Sequence, residues 1–499
     1  MAAEMALSMV ISSKSISELF TLGYHPRKSQ GENSVVIEQI RLSWLRSFRD
    51  PSTVDVAPIT LLYGQNAAGK STILKSILFL KQSLDEANES GQFAYSGKFV
   101  DLGSATAMAY LHRSYEPTRI AMAMSTVLPD RLGNDGSGDG PANFELEFLL
   151  PHDQIDFQVC YRFLGLPGNP ELVWSVSTVE NSKRVLILNN ESVDTFRELF
   201  GSTSPSLLDD DPTGGVDLWS RPVMRCIGVL PGSQIGTFTG GDYREFPRVR
   251  REPRTFQDEV PEQREWGWES FAGSRLRRAI QNRLQRVSHV GPARRMPSRI
   301  ETHLEVPAGQ PGLLATLRED ESLRVRLNRQ LQALGIGYEV SSRKVDDSVL
   351  GEIYSLELRN SKSGVVTALT DVGYGVSQVL PVILEANRPD AGLVLIEQPE
   401  LHLHPKLQAE LGDLLISAAT GGNAKRLIVE THSEALILRI QRRIRENRLR
   451  SDQVRVLYVD QDAAGVSSVK ELFLDENGEF VSKWPHGFFA ERLQELEAW

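Results

Sequence analysis

The chain has 499 residues, with 55 Lys plus Arg against 65 Asp plus Glu, a formal charge of −10. That length allows two to four domains and a large core, and the acidic balance excludes a protein that coats nucleic acid over its whole surface, though not one with a local basic groove. No apolar run approaches the ~20 residues that span a bilayer, and the two cysteines, Cys160 and Cys226, sit in no motif and read as structural thiols in a reducing cytoplasm.

Residues 1–34 have weak periodicity and no signal-peptide core, and read as an N-terminal extension. Val35–Leu42 reads as a strand. A second strand, Ile59–Tyr63, leads into Gly64-Gln65-Asn66-Ala67-Ala68-Gly69-Lys70-Ser71, and an apolar-periodic helix over Thr72–Leu80 follows. The eight residues fit G-x-x-x-x-G-K-[ST], and strand–loop–helix is the setting a phosphate-binding loop requires. The glycines let backbone N–H groups curl around phosphates, and the helix N-terminus adds partial positive charge. Lys70 would reach the phosphates and the Ser71 hydroxyl would bind Mg²⁺.

Gly97–Ser104 reads as a loop with a short strand. Asp130–Gly140 is a loop by composition, and its aspartates lack the spacing of a calcium loop. Phe144–Leu188 is mostly β in pattern, residues 200–270 look irregular, and helical patterns return at Ser274–Val287 and Gly312–Leu334. Strand, loop and helix then alternate from Tyr354 to Ser433, as in the second half of an α/β sheet. There is no internal repeat and no sustained heptad pattern.

Within that second half, Leu393–Glu397 is a buried-strand run ending in a carboxylate, the place for an acid that holds Mg²⁺ or its waters. Gln398-Pro399-Glu400 and Leu401-His402-Leu403-His404-Pro405 follow. A later strand, Leu427–Thr431, ends at His432, and upstream lies Thr370–Gln378, including Gly373, Gly375 and Ser377.

In this order the segments resemble an ABC-type AAA ATPase of the SMC-like, RecF-like and OLD-like group. Gly64–Ser71 matches its Walker A loop, Asp371–Gln378 its signature loop, Leu393–Glu400 Walker B, Leu401–Pro405 the D-loop region and His432 the switch histidine. More narrowly, Asp371–Pro381, Glu397–Pro405 and Glu430–Glu434 are similar to a prokaryotic subfamily with a C-terminal extension like that around Trp484–Phe489. Genes of that subfamily are often found in anti-phage defence modules. The resemblance covers roughly residues 35–110 and 285–499 and is weak between about 115 and 285.

The resemblance implies an α/β fold: an ABC-type P-loop ATPase head, a mixed sheet with flanking helices, carrying a β-rich plus helical insertion. The expected divisions are 1–34, an N-terminal lobe 35–140, an insertion 141–340, a C-terminal lobe 341–440 and an extension 441–499. It implies ATP and Mg²⁺ as cofactors, with Asn66, Gly69, Lys70, Ser71, Thr72, Gly373, Gly375 and Ser377 binding nucleotide. Ser71 and Glu397 would hold Mg²⁺, and Lys70, Glu397, Gln398, Glu400 and His432 would serve hydrolysis. Composite sites imply a homodimer or larger even-numbered assembly. A cytoplasmic sensor and scaffold controlling a separately encoded effector is the favoured role, with a DNA-repair or recombination ATPase as the alternative.

Gln398 departs from the pattern, which puts a catalytic Glu after the Walker B acid. A glutamine can hold water but cannot accept its proton, and general-base help is worth roughly 10²–10⁴-fold. Slow hydrolysis is the favoured consequence. Substitution by Glu400 or His432 as base, and a purely structural use of ATP, are the other two. His402 and His404 beside Glu400 suggest a metal site, but this stretch corresponds to a subunit-contact loop and has no further ligand cluster, so contact is favoured.

Between Ser270 and Ile300 stand eight arginines and no Asp or Glu. Arg275, Arg278 and Arg286 would share a helix face, and with Arg294 and Arg295 they form a candidate path for a DNA or RNA backbone. The bland alternative is a solvated helix paired with acids such as Asp209–Asp211. A second cluster, Arg439 to Arg450, reads as surface solvation or an acidic-partner site. Asp460-Gln461-Asp462 resembles a Toprim pair superficially, but too little chain follows for that domain, and a terminal strand and turn is the better reading.

Overall fold

In a computed structural model, the described residues are 36–85, 93–112, 118–128, 140–149, 157–164, 172–179, 183–188, 225–226, 236–237, 282–294, 301–302, 316–317, 320–347, 351–389, 391–422 and 424–485. The expectations for residues 1–34, the Gly-rich loop 130–139, most of 200–270, acids 209–211, Arg275, Arg278, Arg295 and residues 486–489 lie outside them.

The strands are β1 (Val36–Ser43), β2 (Ser52–Asp55), β3 (Ile59–Gly64), β4 (Arg119–Leu128), β5 (Gly140–Leu149), β6 (Phe157–Leu164), β7 (Leu172–Val179), β8 (Lys183–Leu188), β9 (Val287–Val290), β10 (Tyr338–Asp347), β11 (Gly351–Asn360), β12 (Val366–Ala368), β13 (Leu393–Glu397), β14 (Arg426–Glu430), β15 (Val454–Gln461) and β16 (Ser467–Leu472). The helices are α1 (Lys70–Ser83), α2 (Glu321–Ala333), α3 (Tyr374–Asn387), α4 (Pro405–Thr420) and α5 (Glu434–Arg445).

Six strands form the central sheet, in the order β9-β13-β14-β3-β15-β16. The first five run parallel and β16 returns antiparallel at the edge. Parallel strands need long crossovers: α4 carries β13 to its neighbour β14, and α5 carries β14 past β3 to β15. Both faces of the sheet are covered, which is why its strands read as unbroken apolar runs. The two-residue period divides each strand between two cores. Ile59, Leu61, Tyr63, Val394 and Ile396 enter one core, while Leu62, Leu393 and Leu395 enter the other. The first of these cores is completed by α2 to α5, the second by α1 with β1, β2 and β4.

Seven antiparallel strands make a second sheet, β2-β1-β4-β5-β6-β7-β8. β5 pairs with β4 along its whole length, so this sheet runs on past residue 140, where a lobe boundary was expected. The strands expected for the insertion thus grow from the edge of the lobe's own sheet. β10, β11 and β12 form a smaller antiparallel sheet beside α2.

Helix α5 illustrates the local logic. Leu436, Ile437, Ile440 and Ile444 recur at helical spacing and are buried, each worth about 1.5–3 kcal/mol on full burial. Ser433 caps the N-terminus by accepting from the Leu436 N–H, with Glu434 in the first turn and three arginines in the last, each charge matching the helix dipole. Five of the six arginines of the cluster pair within the chain. Arg439 and Arg443 reach Glu410 and Asp413 on α4, Arg442 and Arg448 reach Glu446, and Arg450 reaches Asp452. Residues 460–462 form the strand end and turn expected of them: Asp462 accepts the Ala464 and Val466 N–H groups.

Candidate functional site

Three parallel strands end together. β3 ends at Gly64, β13 at Glu397 and β14, lying between them, at Glu430. In open α/β sheets, ligands sit beyond such carboxyl ends. The phosphate loop leaves β3 through Gly64 at φ 140° and enters α1 through Gly69 at φ 107°. A Cβ at Gly64 would stand 2.0 Å from the Val459 carbonyl oxygen on β15, so only glycine lets the two backbones approach. Ser467 on β16 donates to the Ala68 carbonyl at 2.7 Å. Strands after the switch histidine therefore wall and brace the loop, which no local pattern announced.

Gln65, Asn66 and Ala67 form the exposed rim of the loop, while Lys70 is buried and Thr72 nearly so. Lys70 Nζ donates to the Gly64 and Gln65 carbonyls at 2.9 and 2.7 Å. Burial pulls its pKa down, while Glu430 and Glu400 favour the charged form. The Ser71 hydroxyl donates to Glu430 Oε2 at 2.7 Å. Glu397 instead meets His289 of β9, with Nε2 and Oε1 2.8 Å apart. Two acids therefore stand in register on adjacent strands beside Ser71, Glu397 opposite Glu430. Glu430 was legible only as the last strand residue before Thr431, and His289 only as one histidine in an arginine-rich stretch. Burial pushes the Glu430 carboxyl up, and the Ser71 hydrogen bond opposes that.

Glu400 is tied to the switch segment. It accepts from the His432 N–H at 2.6 Å and from the Thr431 hydroxyl at 2.9 Å. Burial raises its pKa against those bonds. His432 has its pKa lowered by burial and then by Lys70. Its Nε2 is buried without a hydrogen-bond partner among the described residues, which leaves one nitrogen for an incoming group. Gln398 adopts φ 45° and donates its N–H to the Glu430 carbonyl at 2.7 Å. Left-handed backbone in a non-glycine residue costs of order 1–3 kcal/mol and clusters at functional sites.

The signature residues stand apart from this group. Gly373 caps α3 and Gly375 lies in its first turn, while the buried Ser377 hydroxyl donates to the Tyr374 carbonyl at 2.7 Å. Among the described residues no hydrogen bond links residues 373–377 to residues 64–72. His402 packs edge-on against Tyr374, and His404 caps α4 by accepting from the Lys406 N–H.

One assignment is corrected. Arg294, placed by its sequence on a nucleic-acid path, is buried at 9% exposure and donates to the carbonyls of Gln378, Glu397 and Gln398. A guanidinium spent on backbone carbonyls inside the protein cannot meet a phosphate. Arg286 lies at the surface.

The donor set suits a nucleoside triphosphate with a hard cation. It combines a loop of backbone N–H groups, a buried ammonium, a hydroxyl and carboxylate oxygens. Comparison with known proteins agrees over part of the chain. Residues 240–439 match the family described as "AAA domain, putative AbiEii toxin, Type IV TA system". The matched stretch holds the segments 371–378, 393–405 and 430–432 but not the phosphate loop. No curated protein matches the chain. Among solved structures, the chain is similar to an Smc head bound to the C-winged helix domain of ScpA, at 15% identity over 88% of this chain and 98% of that one, TM-score 0.38. It is similar also to the SMC head domain from Thermotoga maritima, at 10% identity over 88% and 99%, TM-score 0.37. A third is the Smc head domain with an extended coiled coil from Pyrococcus furiosus, at 14% identity over 93% and 99%, TM-score 0.37.

Proposed function

We propose that the chain is an ABC-type ATPase that binds ATP with Mg²⁺ and hydrolyses it slowly to ADP and phosphate. The observation that carries this reading is the meeting of Lys70 and Ser71 with the strand-tip residues Glu430, Glu397, Glu400 and His432. ATP brings the phosphoanhydride bond and Mg²⁺ screens its phosphate oxygens. Lys70 exchanges its two carbonyl partners for phosphate oxygens. Ser71 with Glu430 or Glu397 provides oxygen ligands for the cation. His432 offers Nε2 to the terminal phosphate or the attacking water. Gln398 holds that water but takes no proton, and Glu400, already bonded to the switch backbone, is poorly placed to replace it.

The larger role follows from the subfamily resemblance and from the toxin-system wording attached to the matched family. ATP would hold two heads together through Gly373, Gly375 and Ser377, and the assembly would act as sensor and scaffold for a separate nuclease or toxin in anti-phage defence. Direct action on DNA, as in an SMC-like repair ATPase, is the second reading, favoured by the arginines at 275, 278 and 295.

Single-turnover hydrolysis on the purified protein tests the first claim, together with mass by light scattering with and without ATP. Slow turnover with a stable ATP-bound assembly supports the sensor. Brisk turnover stimulated by DNA, with binding that weakens steeply in salt, would replace it with the DNA-acting ATPase.

A further inference from the structure

Arg294 follows β9 and lies beneath the site. Nη1 donates to the Gln378 carbonyl at 3.2 Å, and Nη2 donates to the Glu397 and Gln398 carbonyls at 2.8 and 3.0 Å. Gln378 belongs to α3, the helix that begins with the signature residues. Glu397 and Gln398 are the tip of β13 and the residue after it. One planar group therefore joins the signature helix to the acid tip.

Burying a cation is costly unless its hydrogen bonds are met. Arg294 has no carboxylate within ion-pair distance among the described residues; its three hydrogen bonds go to carbonyls, its Nε has no partner there, and Glu400 and Glu397 nearby favour its charged form. The Gln398 carbonyl also accepts from the Leu401 N–H at 3.3 Å, so it joins the turn after β13 to the guanidinium. Gln398 is thus pinned from both sides, its N–H by the Glu430 carbonyl and its C=O by Arg294, in a left-handed conformation.

We propose that Arg294 is a positioning residue that couples the signature helix α3 to Gln398, so that the side chain facing the attacking water is set by the position of α3. The inference rests on the ATPase reading. It gives each head an internal link between the segment that would close a partner's site and the residue that limits hydrolysis in its own. Lysine keeps the charge and three donors, but they sit on one nitrogen and not on the two, held apart in a plane, that Arg294 uses.

The test is a double-mutant cycle in the full chain: wild type, R294K, Q398E and R294K/Q398E, with R294Q as a second replacement. ATP binding is followed with a fluorescent analogue, hydrolysis by single turnover, and folding by thermal melting. Binding is expected to stay within about twofold, while R294K lowers the single-turnover rate at least about tenfold, the scale of a small misplacement of reacting groups. The gain from Q398E in the Arg294 background is expected to shrink to less than about a third of itself in R294K. An equal gain in both backgrounds, with rates unchanged by R294K, would overturn the proposal and leave the ATPase reading intact. Failure of the wild type to bind ATP would instead sink the ATPase reading itself. Unfolding of both R294K and R294Q at assay temperature would assign Arg294 to stability and also overturn the positioning role.

Discussion

At the scale of single residues, the site is decided by what each group is already bonded to. Lys70 is buried against two loop carbonyls, so K70A removes an ammonium placed to turn to phosphate. ATP affinity should fall at least about tenfold, equivalent to ~1.4 kcal/mol, measured by calorimetric titration. On the proposed reading Gln398 would hold the attacking water without taking its proton. Q398E should raise single-turnover hydrolysis by about 10²-fold at unchanged ATP affinity; an unchanged rate would mean that another group already serves as base. Glu400 carries a pH signature. Burial raises its folded-state pKa above the unfolded value, so the folded chain binds more protons in the window between the two. Stability from this group therefore falls as pH rises through that window and is regained as pH drops. In E400Q the melting temperature should lose that part of its pH dependence, which melts across the acidic range would reveal in the nucleotide-free protein.

At the scale of elements, the helices on the outer face are held by charge as well as by apolar stripes. Asp413 on α4 receives both Arg439 and Arg443 of α5, whose side chains are largely covered. Its carboxyl is held below the usual range by those two guanidinium groups, against the effect of burial. D413A would take a shared carboxylate from two arginines, leaving Arg439 with Glu410 and Arg443 with Glu446, and should cost about 1–3 kcal/mol, read as a shift in the denaturant midpoint. The chain's later segments are likewise part of the body. Trp484 packs edge-on against Tyr63, Tyr458 and Phe480, and Tyr63 also donates to the Ser433 carbonyl at 2.9 Å. The strand that feeds the phosphate loop is thereby fastened to the switch segment and to Trp484.

At the scale of the whole molecule, the signature helix and the phosphate loop share no hydrogen bond among the described residues, which fits a site closed by a second copy. Gly373 tests this without threatening the fold. Its φ is −52°, open to any residue, and a Cβ there meets nothing within 4 Å. G373R should bind ATP like the wild type yet fail to gain mass with ATP in light scattering. Normal ATP-driven assembly by this variant would remove residues 373–377 from the interface.

What the sequence determined by itself was whatever depends on neighbours in the chain. Gly64–Ser71 between a strand and a helix, the apolar run ending at Glu397, and His432 after β14 are local patterns, and the structure places them at the ends of adjacent strands. The apolar period in Leu393–Glu397 marked a strand covered on both faces. Only the tertiary structure decided which acid meets Ser71, because that depends on β14 lying between β3 and β13, a fact of strand order. It likewise decided that Arg294 is internal while Arg286 is at the surface. Both stand in one basic stretch, and composition cannot say which guanidinium will find three carbonyls once β9, β13 and α3 have packed. Burial is a property of what arrives from elsewhere in the chain, and for Arg294 its partners come from 84 to 104 residues away.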